Sequence, residues 1–98
     1  MSEQDEKLEA SRSWLAQGEE RLAANDFEGA ISFARQGLAA LGEDYASHDV
    51  VDDTYLKIAA ADEQIENGHL ENGASTLLRM LKTRTDLYAE SRGMKSRS

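Results

Sequence analysis

From Asp5 to Ala89 apolar side chains recur every three or four residues, and no proline interrupts them anywhere in the 98-residue chain. That period belongs to the α-helix, and proline is the residue that most strongly breaks helix interiors. Alternating strand patterns are absent, so the expected class is all-α. The pattern pauses at Asn25-Asp26, at residues 42–49 and at Asn67-Gly68. Asn, Asp and Gly prefer turns and caps. Four helices are therefore expected, over about 5–24, 27–41, 50–66 and 70–89.

The inward stripes follow from the spacing. In the first helix Leu8, Ser11, Leu15, Gly18 and Leu22 share one face, with Trp14 at its flank. In the second, Phe27, Ala30, Ile31, Ala34, Leu38 and Leu41 point inward, and Asp26 is placed as N-cap. In the third, the stripe is Val51, Tyr55, Ile58, Ala59, Asp62 and Ile65, with Asp62 at its edge. In the fourth it is Leu70, Ala74, Leu77, Leu78, Leu81 and Tyr88, opposite a solvated face of Ser75, Arg79, Lys82 and Asp86. Two-residue turns between long helices force them antiparallel, giving two helix–turn–helix hairpins. Residues 1–90 are expected to form a single domain and 91–98 a disordered basic tail.

Composition narrows the function. Forty per cent of residues are apolar and 31% charged, enough to fold but too charged for a membrane protein. The acidic start, Met1 to Glu6, lacks the basic and apolar regions of a secretory signal, so a cytoplasmic location is expected. The absence of cysteine removes thiolate metal sites and cysteine nucleophiles. Residues 1–71 carry 17 acids against 5 bases, whereas residues 72–98 carry 2 acids against 6 bases. The bulk of the chain repels nucleic acid and anionic lipid, and only the C-terminal end, with Arg79, Lys82, Arg84, Arg92, Lys95 and Arg97, could attract them. Few aromatics interleave with those bases, which favours a solvated face and tail.

No active site emerges. His48, Asp49, Asp52 and Asp53 form the densest polar cluster, and His48 with Asp52 has the spacing of a metal pair, but an acidic loop and N-cap are the ordinary reading. His69 lies at a turn with no serine or carboxylate placed to complete a triad. The paired carboxylates Glu19-Glu20, Asp52-Asp53 and Asp62-Glu63 fall on polar faces or a loop edge. The glycines form no phosphate-cradling loop and the Asp49–Asp53 run no EF-hand. The expectation is a chain that is not an enzyme and carries no metal or other cofactor.

Residues 14–41 resemble the tetratricopeptide repeat family, whose consensus is W-x2-L-G-x2-Y…A-x3-F…P. Trp14 and Gly18 stand at the Trp and Gly of the first helix, Ala30 at the alanine where the helices cross, and Asn25-Asp26-Phe27-Glu28-Gly29-Ala30 over the turn. Gln17, Arg21 and Ala34 depart from the consensus Leu, Tyr and Phe, and the final proline is missing. The segment Gly68-His69-Leu70-Glu71-Asn72-Gly73 echoes the first turn at an offset of 43 residues, against roughly 34 in the family. The resemblance implies a protein-interaction module or small adaptor that holds a partner peptide or helix. Ser13, Gln17 and Arg21 on the outward side of the first helix would contact the partner, joined by Trp14 if it sits at a groove rim. Two hairpins are fewer than such arrays usually need, which leaves room for a second copy.

Residues 8–41 also resemble the first two helices of HEPN four-helix bundles, through Phe33-Ala34-Arg35-Gln36-Gly37-Leu38. The Arg-x4-His of that family's nucleases has no counterpart: Glu43 precedes His48 and Gln64 precedes His69 at the arginine's spacing. This resemblance implies a non-catalytic bundle associated with nucleic acid or with a toxin–antitoxin pair.

Overall fold

A computed structural model of the chain describes residues 3–41 and 51–91, with side chains described for 6–41 and 56–90. Among them are four α-helices: α1 (Glu3–Ala23), α2 (Phe27–Leu41), α3 (Val51–Glu66) and α4 (Leu70–Ser91). The chain is all-helical over these residues, as the periodicity predicts. Gly42, the cluster around His48, and residues 92–98 lie outside the described residues. Ser91, expected to open the tail, is the last residue of α4.

The two turns are built alike. At the end of α1 the Asn25 amide donates to the Leu22 carbonyl at 3.0 Å and the Asp26 amide to the Arg21 carbonyl at 2.8 Å. At the end of α3, 43 residues on, the Gly68 amide donates to the Ile65 carbonyl at 3.0 Å and the His69 amide to the Gln64 carbonyl at 2.8 Å. This pair of bonds is the Schellman motif, which satisfies carbonyls a helix end would otherwise leave open. It needs a left-handed residue just beyond the cap. Asn25 (φ 65°) and Gly68 (φ 90°) supply it, Asn and Gly being the residues that tolerate that region best. Asp26 then starts α2 by accepting the Gly29 amide on Oδ1 at 3.1 Å.

The hairpins close over small residues, again in parallel. A Cβ on Gly18 of α1 would lie 3.5 Å from the Ala30 carbonyl of α2, and one on Gly73 of α4 would lie 3.2 Å from the Ala61 carbonyl of α3. Gly18 and Ala61 are themselves 43 apart, as are Ala30 and Gly73. Each crossing therefore uses one glycine and one alanine, with the roles exchanged between hairpins.

The hairpins meet through α4, which packs on α1, α2 and α3, whereas α3 makes its helix-to-helix packing on α4 alone among the described residues. One side-chain bridge adds to this: Arg35 Nη2 of α2 donates to Asp62 Oδ1 of α3 at 3.0 Å. The breadth of the buried face of α4 explains its position. Gly73, Ala74, Leu77, Leu78, Met80, Leu81, Arg84, Thr85, Tyr88 and Ala89 are all buried, more than one flank of a helix can bury against a single neighbour. Toward the turns, Ala30, Ile31, Ala34, Ala61, Ala74, Leu77 and Leu78 make one apolar cluster. Toward the other end, Leu8, Leu41, Leu81, Tyr88 and Ala89 make a second. Leu15 and Leu38 pack against both.

A polar clip lies within this core. Thr85 donates to the Leu81 carbonyl at 2.7 Å, so its oxygen accepts the hydroxyl of Ser11, 2.5 Å away. Both residues are buried, and the pair ties α1 to α4 where a lone hydroxyl would be costly.

Two sequence expectations change. Among the described side chains of α3, which start at Leu56, the buried one is Ala61, flanked by half-buried Ile58 and Ile65, while Ala59 and Asp62 are exposed. Asp62 sits at the edge, as expected, and uses it to bridge to Arg35. Arg84 is not part of a solvated basic face: it is 1% exposed on the stripe that carries Leu77, Leu81 and Tyr88.

Candidate partner-binding surface

Positions 14, 17 and 21 follow one another around α1 at spacings of three and four, which puts their side chains along one face. The structure brings two of them, Trp14 and Arg21, against Phe33 of α2, while Gln17 stays exposed. Trp14 stacks on Phe33 with ring centroids 5.4 Å apart and planes tilted by 30°. The Arg21 guanidinium lies over the same Phe33 ring, 5.7 Å from its centroid. Arg21 Nη1 also lies 3.7 Å from Asp26 Oδ2, at the turn below. Gln17 Nε2 donates to Ser13 Oγ at 3.1 Å and to the Ser13 carbonyl at 3.3 Å.

The result is a strip with an aromatic centre and polar flanks. Trp14 and Phe33 are half-buried; Ser13, Gln17 and Arg21 are exposed. Trp14 is therefore both core and rim. Its ring leans on the second apolar cluster, and part of it faces solvent. All four residues expected at the surface share this strip. Phe33 was not singled out for it, because attention falls on Ala34, the inward position one residue on. The available signal was an aromatic side chain directly beside the small residues Ala30 and Ala34, where a crossing helix comes close.

Ring stacking and the overlying cation stabilise this arrangement by about 1 kcal/mol each at most on an exposed surface. Trp and Arg are enriched among the residues that carry most of the binding energy at protein interfaces, because they offer large contact area and directed donors.

The remaining candidates are scattered. His69 is exposed at the mouth of an open cleft of about 370 Å³ lined by Phe27, Gly68, Leu70, Glu71 and Asn72. A second open cleft, of about 260 Å³, runs between α1 and α4, with Leu22, Ser75 and Leu78 lining it beside Glu19, Arg79 and Lys82. Lys82 faces Asp86 at 3.8 Å, one helical turn away. Among the described residues no three of His, Asp or Glu come together as a metal site would require. Glu19 and Glu20 are exposed, as a solvated pair should be.

Arg84 leaves the surface charge altogether. Burial lowers its pKa to about 10, because the low-dielectric interior disfavours the charged form, yet it stays protonated at neutral pH. Of the expected basic end, the described residues retain Arg79 and Lys82 on the surface of α4.

No helix among the described residues is long and apolar enough to cross a membrane. No protein-family description, curated protein or solved structure matches the chain.

Proposed function

We propose that this chain is a non-enzymatic protein-interaction module of tetratricopeptide-like type, and that it holds a partner peptide or helix against the α1–α2 strip. The observation that carries the proposal is the stacked Trp14–Phe33 pair, half-open to solvent with Arg21 laid across it. Two adjoining aromatic side chains left partly open beside exposed polar groups offer the apolar contact area and polar rim that a partner surface uses. Gln17 and Ser13 add donors and acceptors that fix the register of a partner.

The strip lies along α1 and α2, rather than in a groove between α1 and α3. The first and third helices do not approach one another among the described residues. The resemblance of residues 14–41 to the repeat family supports the class of function, and the half-open aromatic pair supports this face. The nucleic-acid reading has lost one of its cations to the core, with the burial of Arg84.

The test is affinity capture from a lysate of the source cells, with and without nuclease, using the wild-type chain and a Gln17→Ala/Arg21→Glu variant. Both residues are exposed, so the variant should keep its circular dichroism spectrum, while loss of the Arg21 contacts with Phe33 and Asp26 lowers its melting temperature by several degrees at most. A protein captured by the wild type regardless of nuclease, and lost from the variant, supports the proposal. Equal capture by both removes the strip from the account. Capture that vanishes with nuclease favours the nucleic-acid reading instead.

A further inference from the structure

The chain contains two Asn-Gly sequences, Asn67-Gly68 and Asn72-Gly73, only five residues apart and on either side of the start of α4. Asn-Gly is the pair at which an asparagine side chain is most open to attack by the next backbone nitrogen, because glycine offers no side chain to obstruct it. Both asparagines are exposed. Their glycines are not equivalent. A Cβ on Gly68 would meet nothing within 4 Å, whereas one on Gly73 would press on Ile65 and the Ala61 carbonyl. Gly73 is buried within α4 against Ile65 and Ala61 of α3, while Gly68 is exposed in the turn.

The geometry points to Asn67 as a site of spontaneous covalent modification that opens the α3–α4 turn. In the folded state the Gly68 amide is held by the Ile65 carbonyl at 3.0 Å, and the Asn67 amide by the Glu63 carbonyl at 3.1 Å. Reaction requires the end of α3 to fray, which costs little at an exposed helix terminus. The deprotonated Gly68 nitrogen then attacks Asn67 Cγ. The bond from Cγ to the side-chain nitrogen breaks, and that nitrogen leaves as ammonia. A five-membered succinimide remains. Water opens it at the side-chain carbonyl to give aspartate, or at the backbone carbonyl to give isoaspartate, in which the chain runs through Cγ. Nothing is oxidised or reduced, and water is the only co-reactant.

Either product disturbs the turn. A carboxylate is placed at the negative end of the α3 dipole, beside exposed Glu63 and Glu66. Isoaspartate also lengthens the backbone by one carbon inside the Schellman motif, so the Gly68–Ile65 and His69–Gln64 bonds can no longer both close. Because α3 packs on α4 alone among the described helices, the loosened turn lets α3 move while α1 and α2 stay paired.

The experiment is to age the whole protein at mildly alkaline pH, then map both sites by mass spectrometry with fragmentation that separates aspartate from isoaspartate. The native protein should convert Asn67 on the order of tenfold faster than Asn72, the ratio that goes with a difference of roughly 1.4 kcal/mol in opening free energy. In denaturant the two sites should convert at similar rates, and Asn67→Gln should abolish the fast phase. Hydrogen exchange of the aged protein should speed up at Gly68 and His69 and stay unchanged in α1 and α2. Equal or faster conversion of Asn72 in the folded protein would overturn the assignment. So would no conversion of Asn67 over a period that converts the denatured chain, or an unchanged exchange rate at the turn after conversion.

Discussion

Replacing Gly73 by alanine tests the hairpin crossing, because two effects oppose one another there. Alanine favours helix over glycine by about 1 kcal/mol, so at an open helical position the change would stabilise. At Gly73 the new Cβ would overlap Ile65 and sit 3.2 Å from the Ala61 carbonyl. The isoleucine can shift its rotamer only by disturbing the half-buried packing it makes against the apolar cluster. The carbonyl belongs to the backbone of α3 and cannot retract without moving that helix. Overpacking of this kind costs about 1–3 kcal/mol. The balance is a net loss of up to about 2 kcal/mol, which for a domain of this size lowers Tm by up to roughly 15 °C. Thermal melts followed by circular dichroism would measure it. Asn72→Ala, one residue away and exposed, serves as the control and should hold or slightly raise Tm. A Gly73→Ala protein that melts at or above the wild-type temperature would refute the close crossing of α3 and α4.

Other outcomes follow from the same structure. Thr85→Val leaves the buried Ser11 hydroxyl without its acceptor and should cost about 1–3 kcal/mol by urea unfolding. Adding Ser11→Ala should recover part of that loss, and a double-mutant cycle showing no coupling would contradict the clip. Asp26→Ala removes the cap of α2 and should cost about 1 kcal/mol, whereas His69→Asp gives α4 the cap that the equivalent turn already has and should stabilise by about 0.5–1 kcal/mol. Chemical denaturation of both variants checks the pair, and equal signs would break the equivalence of the turns. Leu56, 70% exposed on α3, should tolerate Leu56→Ser within about 0.5 kcal/mol.

The helices were legible because their punctuation is local. Asn25-Asp26 and Asn67-Gly68 mark turns by their own backbone preferences, and the structure places the boundaries within two residues of those expected. The α1 stripe was legible for a similar reason, since Leu8, Ser11 and Gly18 have no other apolar face to compete with. The side on which α3 packs was not. Ala59, Ala60 and Ala61 stand in succession and give the helix no contrast, so the face is chosen by the glycine opposite, Gly73, which lies in another helix. Arg84 was misplaced because its charge outweighed its register, although it falls three residues after Leu81 and four before Tyr88 on a buried stripe. The central position of α4 was also within reach, as a buried face too wide for one neighbour. Ser13, Trp14, Gln17 and Arg21 marked the proposed strip, but its completion by Phe33 depends on the crossing of two helices, which no single helix pattern encodes.

Trp14 is the only tryptophan in the chain, and it stands in the middle of the strip. Its fluorescence therefore reports directly on whether a partner occupies that surface. The decisive measurement is acrylamide quenching of Trp14 with and without the captured partner, using a tryptophan-free form of that partner. The account predicts that quenching falls when the complex forms, and that Arg21→Glu weakens the complex by about tenfold or more, as loss of an interface anchor does. Quenching that stays unchanged while the complex forms would place the partner elsewhere and contradict the assignment of the α1–α2 strip.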